Sequence, residues 1–398
     1  MKVAVVTDLH FVEDRDGNSF TPVMYGYPFF QRYHNVFEEV YVVARGRKVE
    51  HANKNALQIN GEGVNTWMLP ETYGIKQYMK KHGTIRKSLI DIIGQCDTVI
   101  IRTPSALSSM AVFIARKLHK KFALEVVADP YSIKPGKSML DRILNSYLVK
   151  QCKDACMAAN GVAYVTKYFL QTVCPCKCIA MGYETDEYFT GNYSSITLME
   201  TFFAEPKTYT EKKRFVISHT ANLIQNEAKG HDVVIKTVAL LRQMGYDVSA
   251  IFIGDGSAVE HFKKMASSLD VADYIHFVGK FSDPMLVREQ LLASDLYLFP
   301  SESEGLPRGV IEAMACGLVV VASNVSGIPE LLDDEDMREP HDVDGYVRRI
   351  STLLNEPELM KQKSVRNIEI ARLYQNDNLT RNRNAFYGKL KKLVESGD

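Results

Sequence analysis

Charge of either sign is not in excess: 48 Lys and Arg balance 48 Asp and Glu over 398 residues. That balance argues against general electrostatic attraction to nucleic acid, and no nucleic-acid partner is expected. No apolar run reaches the length of a membrane span. Met1 leads directly into a strand-like run, without the charged and apolar regions of a signal peptide. A cytoplasmic protein is expected, at most at the inner face of a membrane. Tandem repeats of solenoid length are missing, and 46% apolar with 24% charged residues gives no sign of disorder. The 7 cysteines are odd in number and read as reduced thiols. Cys174, Cys176 and Cys178 alternate in a pattern unlike a zinc knuckle and read as ordinary cysteines between loop and strand. Cys152 and Cys156, at i and i+4 of a predicted helix, leave a spatial cluster open. No metal site and no cofactor are expected.

A chain this long exceeds what one core usually supports, so two domains are expected. In the first half, strand-like runs at 3–6, 40–44, 98–101, 122–128, 161–165 and 178–181 alternate with helical patterns at 106–118 and 140–158. In the second half, strands at 215–218, 248–253 and 275–278 alternate with helices at 231–244 and 285–293. Strands alternating with helices imply right-handed βαβ units and Rossmann-like sheets. Periodicity weakens over 191–214, the expected linker. The expected organisation is a domain at 1–205, a second at 206–378, and a terminal helix at 379–398 that crosses back to the first.

Residues 295–323 read as strand, loop, helix and strand. An apolar run ends at Pro300, Pro307 suits a first helical position, and Gly317 suits the left-handed residue after a helix. Two carboxylates, Glu304 in the loop and Glu312 in the helix, border one strand-end crevice of the kind where α/β sheets bind nucleotides. Arg308 precedes Glu312 by one helical turn. Taken alone, the trio is better explained as a capped surface helix with an ion pair.

The run Ser303-Glu304-Gly305-Leu306-Pro307-Arg308-Gly309-Val310-Ile311-Glu312-Ala313-Met314-Ala315-Cys316-Gly317, followed by Gly327-Ile328-Pro329-Glu330-Leu331, resembles the signature of retaining GT-B glycosyltransferases of family 4. The resemblance implies an α/β GT-B fold: two Rossmann-like, doubly wound parallel-sheet domains facing across a cleft. It implies a retaining, metal-independent glycosyltransferase that uses a nucleotide diphosphate sugar and a saccharide or lipid-linked acceptor in polysaccharide biosynthesis. Glu312 would hold the ribose hydroxyls and Glu304 those of the donor sugar, with the N–H groups of Gly305 and Leu306 assisting.

The segment 218–232 is similar to a family element in which an arginine and a lysine grip the diphosphate. Lys229, followed by Gly230, matches the lysine, but Asn222 stands where the arginine is expected, and Arg308 is the candidate replacement. Gly254 and Val278 would line the nucleotide side. On the acceptor side the expected double-glycine loop is reduced to Gly17, in a long loop after the first strand with Tyr25 to Phe30 as possible anchors. The expected histidine is missing at Ala128, leaving Asp129, His10 and Arg102 as polar candidates. An irregular acidic segment, 333–336, replaces the family's glycine-rich turn and short strand. Basic residues at 76–87 and 116–121 could touch anionic headgroups or present solvated helix faces. Two rival functions stay open: a nucleotide-sugar hydrolase or epimerase on the same fold, and a non-catalytic nucleotide-sugar-binding subunit.

Overall fold

The computed structural model describes residues 1–22, 25–53, 56–132, 139–209 and 213–397, so part of the expected linker lies outside them. The chain divides into two compact units, Met1–Tyr193 with Thr380–Asp398, and Ser194–Leu379.

The first unit holds strands β1 (Lys2–Glu13), β2 (Ser19–Thr21), β3 (Glu39–Lys48), β4 (Leu57–Gln58), β5 (Val64–Pro70), β6 (Thr98–Thr103), β7 (Phe122–Val126), β8 (Gly161–Tyr164) and β9 (Phe189–Asn192). Its parallel strands run in the order β5-β3-β1-β6-β7-β8-β9, and β2 and β4 add an antiparallel extension to β1. Helices α1 (Tyr27–His34), α2 (Gly74–Gln95), α3 (Ala106–Lys117), α4 (Met139–Ala158), α5 (Phe169–Val173) and α6 (Lys177–Met181) connect them. Val3 to Val6 are fully buried, as a strand covered on both faces requires.

Three expectations for this unit are corrected. The first strand continues to Glu13, because buried Leu9 and Phe11 alternate with Asp8 and His10 and keep it paired with β3. A short turn joins β1 to β2, and Gly17 sits in it at φ 80°. The aromatic stretch after Tyr25 is helix α1, which starts at Tyr27 with Pro28 in its first turn and buries Phe29, Phe30 and Tyr33. Residues 178–181 are not a strand: they belong to α6, closed by Gly182 in the left-handed conformation at φ 83°. A short apolar run satisfies either period, and the turn residue after it decides.

The second unit holds β10 (Arg214–Leu223), β11 (Asp247–Asp255), β12 (Ile275–Gly279), β13 (Leu296–Phe299), β14 (Val319–Ser323) and β15 (Met337–Arg338). All pair in parallel in the order β12-β11-β10-β13-β14-β15. Counted along the chain that is 3-2-1-4-5-6, the doubly wound order of nucleotide-binding sheets. The helices are α7 (His231–Gln243), α8 (Val259–Ser268), α9 (Pro284–Leu292), α10 (Arg308–Ala315), α11 (Val343–Asn355) and α12 (Pro357–Arg372). The core joins Ile217, Val248, Ala250, Phe252, Leu296, Leu298, Val319 and Val321 to Val234, Val238, Tyr346 and Leu353. The acidic segment 333–336 does not remove the short strand: β15 follows it at once. Its carboxylates are neutralised internally, Asp336 by Arg349 and Lys363, and Asp333 by Lys363 and Arg366. Helix α13 (Asn376–Glu395) begins in this unit and from Thr380 belongs to the first.

Candidate active site

The strand order of the second unit reverses between β10 and β13. At such a switch point the two following loops diverge above the sheet and leave a crevice at the carboxyl ends of the strands. The loop after β13 carries Glu304, and the turn after β10 carries Lys229.

Lys229 ends a one-turn helix, Glu227–Lys229, whose first N–H groups are capped by Asn226: its side chain accepts from Ala228 N at 3.0 Å. Gly230 follows at φ 77° and packs on Pro300, where an added Cβ would come within 2.4 Å of the carbonyl oxygen. Both demands require glycine, and together they set Lys229 beside the loop after β13. That loop is tied down along its length. Glu302 N donates to Ala228 O at 2.9 Å, Ser323 Oγ to Ser301 O at 2.6 Å, and Gly327 N to Gly305 O at 3.0 Å.

The result brings Lys229 Nζ and Glu304 Oε1 into an ion pair, and buried Ser301 Oγ donates to the same oxygen at 2.8 Å. Lys229 keeps 38% of its side-chain exposure and Glu304 13%, so the lysine end of the pair faces solvent.

Helix α10 starts at Arg308, with Pro307 as its cap residue rather than its first helical residue. Glu312 lies one turn in and is half-buried. Burial pushes its carboxyl up to about 7, and Arg308 opposes that only in part. The helix packs closely on the sheet because Gly309 sits over the hydroxyls of Thr220 and Tyr297, which are 2.6 Å apart. Asn222 is exposed near the end of β10, Gly254 is the penultimate residue of β11, and Val278 lies near the end of β12. Leu306 is buried beneath the loop and Gly305 precedes it.

The candidates of the first unit are dispersed. Gly17 closes the β1–β2 turn, where its carbonyl accepts from Asn60 Nδ2 at 3.2 Å. Asp129 accepts from Tyr131 N at 2.9 Å, and burial pushes its carboxyl up. His10 stacks on Tyr73 with ring centroids 4.8 Å apart. Burial and then Arg45 push the His10 imidazole below its ordinary value, and its Nδ1 is buried without a hydrogen-bond partner. Arg102 does not line an open site: it is buried and donates to Glu125 Oε2 at 2.6 Å.

Residues not singled out from sequence also contribute. Ser301 and Ser323 hold the Glu304 loop, and Glu302 meets His341 Nε2 at 3.1 Å. Beneath Lys229, His219 and His231 are fully buried with ring centroids 4.5 Å apart. Ser301 sits in the polar Pro300–Glu304 run and Ser323 ends the apolar strand β14, but nothing in residue type or spacing separates an anchoring hydroxyl from a solvated one.

Residues 200–369 match the family described as Glycosyl transferases group 1. Protein CapJ of Staphylococcus aureus is 29% identical over 364 residues, covering 90% of this chain and 87% of that protein. The amylovoran biosynthesis glycosyltransferase AmsK of Erwinia amylovora is 31% identical over 153 residues, 36% of each protein. Anabaena HepE, solved with UDP and also with UDP-glucose, superposes in the UDP complex with a TM-score of 0.66 over 100% of both chains at 14% identity. The fold is thus that of the GT-B glycosyltransferases. The match to the group 1 glycosyl transferases covers residues 200–369, which fall within the second unit.

Proposed function

We propose that the protein is a retaining glycosyltransferase that moves a sugar from a nucleotide diphosphate sugar to a hydroxyl of a saccharide or lipid-linked saccharide in polysaccharide biosynthesis. The observation that carries this reading is the Lys229–Glu304 pair at the switch point of the nucleotide-type sheet, one helix start away from Glu312. Donor binding would exchange partners. The diphosphate takes the exposed Lys229 ammonium, and the released Glu304 carboxylate accepts hydrogen bonds from the donor-sugar hydroxyls while Ser301 continues to orient it. A partly exposed ion pair contributes only about 0–1 kcal/mol, so opening it costs little.

Lys229, joined by Arg308, then neutralises charge on the departing diphosphate, which makes a metal unnecessary and calls for no cofactor beyond the co-substrate. Glu312, once ionised, accepts the two ribose hydroxyls, while Gly230, Gly254, Asn222 and Val278 line the nucleotide and Gly305 and Leu306 the sugar and phosphate. In a same-face transfer the departing phosphate oxygen takes the acceptor proton. His10 and Asp129 remain the acceptor-side candidates. The HepE complexes support testing uridine diphosphate sugars first, and the name of AmsK supports a polysaccharide product.

Among the described residues no helix is long and apolar enough to cross a membrane. If the acceptor is lipid-linked, contact with anionic headgroups would fall on the exposed face of α2, where Lys76, Lys80, Lys81 and Lys87 accompany Met79.

A thermal-shift panel of nucleotide sugars, followed by turnover of the best donor with saccharide acceptors, tests the reading. A donor that raises the melting temperature and is consumed only when acceptor is present supports it. Consumption at the same rate without acceptor would replace transfer by hydrolysis.

A further inference from the structure

Five of the chain's seven cysteines, all buried, gather in the first unit, at Cys152 and Cys156 on α4 and at Cys174, Cys176 and Cys178 around α5 and α6. They surround Tyr164, whose hydroxyl donates to Cys174 O at 2.7 Å and lies beside Cys156 and Cys176. The group takes no part in the site of the second unit. Within it one contact stands apart. Cys176 Sγ and Cys178 Sγ are 3.2 Å from each other, whereas Cys152 Sγ and Cys174 Sγ are 4.0 Å apart. Nonbonded heavy atoms settle at about 3.5–4.0 Å, so the first pair is already inside ordinary contact, and a disulfide needs a further approach to about 2.0 Å.

We propose that Cys176 and Cys178 form an oxidation site, a dithiol that a low-molecular-weight disulfide converts to an intramolecular disulfide. One thiolate of the pair attacks a sulfur of the oxidant and expels the first small thiol, which leaves a mixed disulfide on the protein. The second thiolate attacks the protein sulfur of that mixed disulfide and expels the second small thiol. Two electrons pass from the protein to the oxidant, and the two protons of the cysteines leave with them.

Access and constraint both favour this pair. Pro175, Ile179 and Ala180, which flank the two thiols in the chain, line a cavity of about 780 Å³ whose rim carries exposed Tyr168. The oxidant therefore comes within one residue of the sulfurs without unfolding the sheet. Only one residue separates the partners, so closure moves the first turn of α6 and leaves α4 and β8 in place.

The test is to incubate the full chain with glutathione disulfide, count thiols after denaturation, and map the product with trypsin. Cleavage after Lys177 separates the two cysteines, so the predicted disulfide joins peptide 168–177 to peptide 178–207. The expected result is loss of two of the seven thiols with that link, restored by dithiothreitol. Peptide 168–177 also contains Cys174, so the link must survive in Cys174→Ser and disappear in Cys176→Ser. Should either variant fail to fold, fragmentation of the linked wild-type peptides places the bond on Cys176 or Cys174. Seven remaining thiols, a link to peptide 151–153 carrying Cys152, or a bond placed on Cys174 overturns the proposal.

Discussion

Lys229 Nζ and Ser301 Oγ converge on one carboxylate oxygen of Glu304, although Lys229 lies 75 residues from that glutamate along the chain. A cation and a hydroxyl on the same oxygen hold the carboxylate in one rotamer before any ligand arrives, and the lysine retains a solvent-facing side for an incoming anion. Lys229→Ala is therefore expected to lower kcat by about 100-fold or more, since it removes the charge set against the leaving diphosphate. Glu304→Gln, which keeps the shape, is expected to lower kcat comparably. Neither should shift stability by more than about 1 kcal/mol, because the pair is partly exposed. Steady-state kinetics and melting curves on the same preparations check both halves. Wild-type turnover in Lys229→Ala would remove that lysine from the mechanism.

The architecture of the second unit was legible because its punctuation is strong: Pro300, Pro307 and Gly317 mark a strand end, a helix start and a helix end that the structure reproduces within a residue. The approach of Lys229 to Glu304 was not legible from spacing, since sheet order alone brings their loops together. In the first unit the alternation of Asp8, Leu9, His10 and Phe11 was present in the sequence, but the polar residues read as a loop once the apolar run had ended. Arg102 offered no warning that it pairs with Glu125 inside the core, because a cation at a strand end looks the same whether it faces a ligand or a buried carboxylate. The buried His219 and His231 occupy positions that apolar residues would fill equally well.

Glu312 sets a pH dependence. Its carboxyl is raised from about 4.5 to about 7 by burial, so the folded state holds a proton that the unfolded state releases. Stability from this group is therefore complete below pH ~4.5 and is lost as pH rises through ~7, by roughly 1–3 kcal/mol, the lower end because the side chain keeps solvent contact. Ribose recognition runs the other way and needs the ionised acceptor. Donor affinity is expected to fall as pH drops below ~7, and Glu312→Gln is expected to melt higher at pH ~8 while binding nucleotide more weakly. Calorimetric titration of a uridine nucleotide across that range, beside melting curves of both proteins, checks the opposed signs. A variant that melts lower at high pH would contradict the burial argument.

His231 stacks between Phe252 and Phe262, with ring centroids 5.2 and 5.0 Å away, and both its ring nitrogens are buried without a partner. Burial pushes its imidazole down to about 2, and that of His219 to about 4. Both are neutral in the folded state, so their contribution is complete above about pH 6.5 and is lost as pH falls toward the depressed values. An apolar side chain at His231 removes that loss together with the cost of the unpaired nitrogens. His231→Leu is expected to gain about 1–2 kcal/mol near neutrality and to flatten the acid limb of the stability curve. Chemical denaturation at pH ~5 and ~7.5 measures both effects, and an unchanged acid limb would sink the assignment.

Glu125 is the centre of the first unit's only buried ion pair among the described residues, and it closes a network that includes the terminal helix. Tyr33, Tyr193 and Tyr387 donate to its carboxylate at 2.9, 3.0 and 2.6 Å, and Arg102 at 2.6 Å. Burial alone would push the Glu125 carboxyl up, but Arg102 and the Tyr387 hydrogen bond hold it below the usual range. Removing the carboxylate leaves the Arg102 guanidinium buried without its counter-charge, so Glu125→Ala is expected to cost about 3–5 kcal/mol and to release residues 380–398 from the unit. Tyr387→Phe removes one of three hydroxyl donors to a carboxylate that keeps its arginine, and should cost only about 1–2 kcal/mol. Denaturant midpoints rank the two variants, and hydrogen exchange over α13 reports whether the helix opens ahead of the sheet. Equal losses in both variants would mean that the tyrosine, and not the charge pair, organises the network.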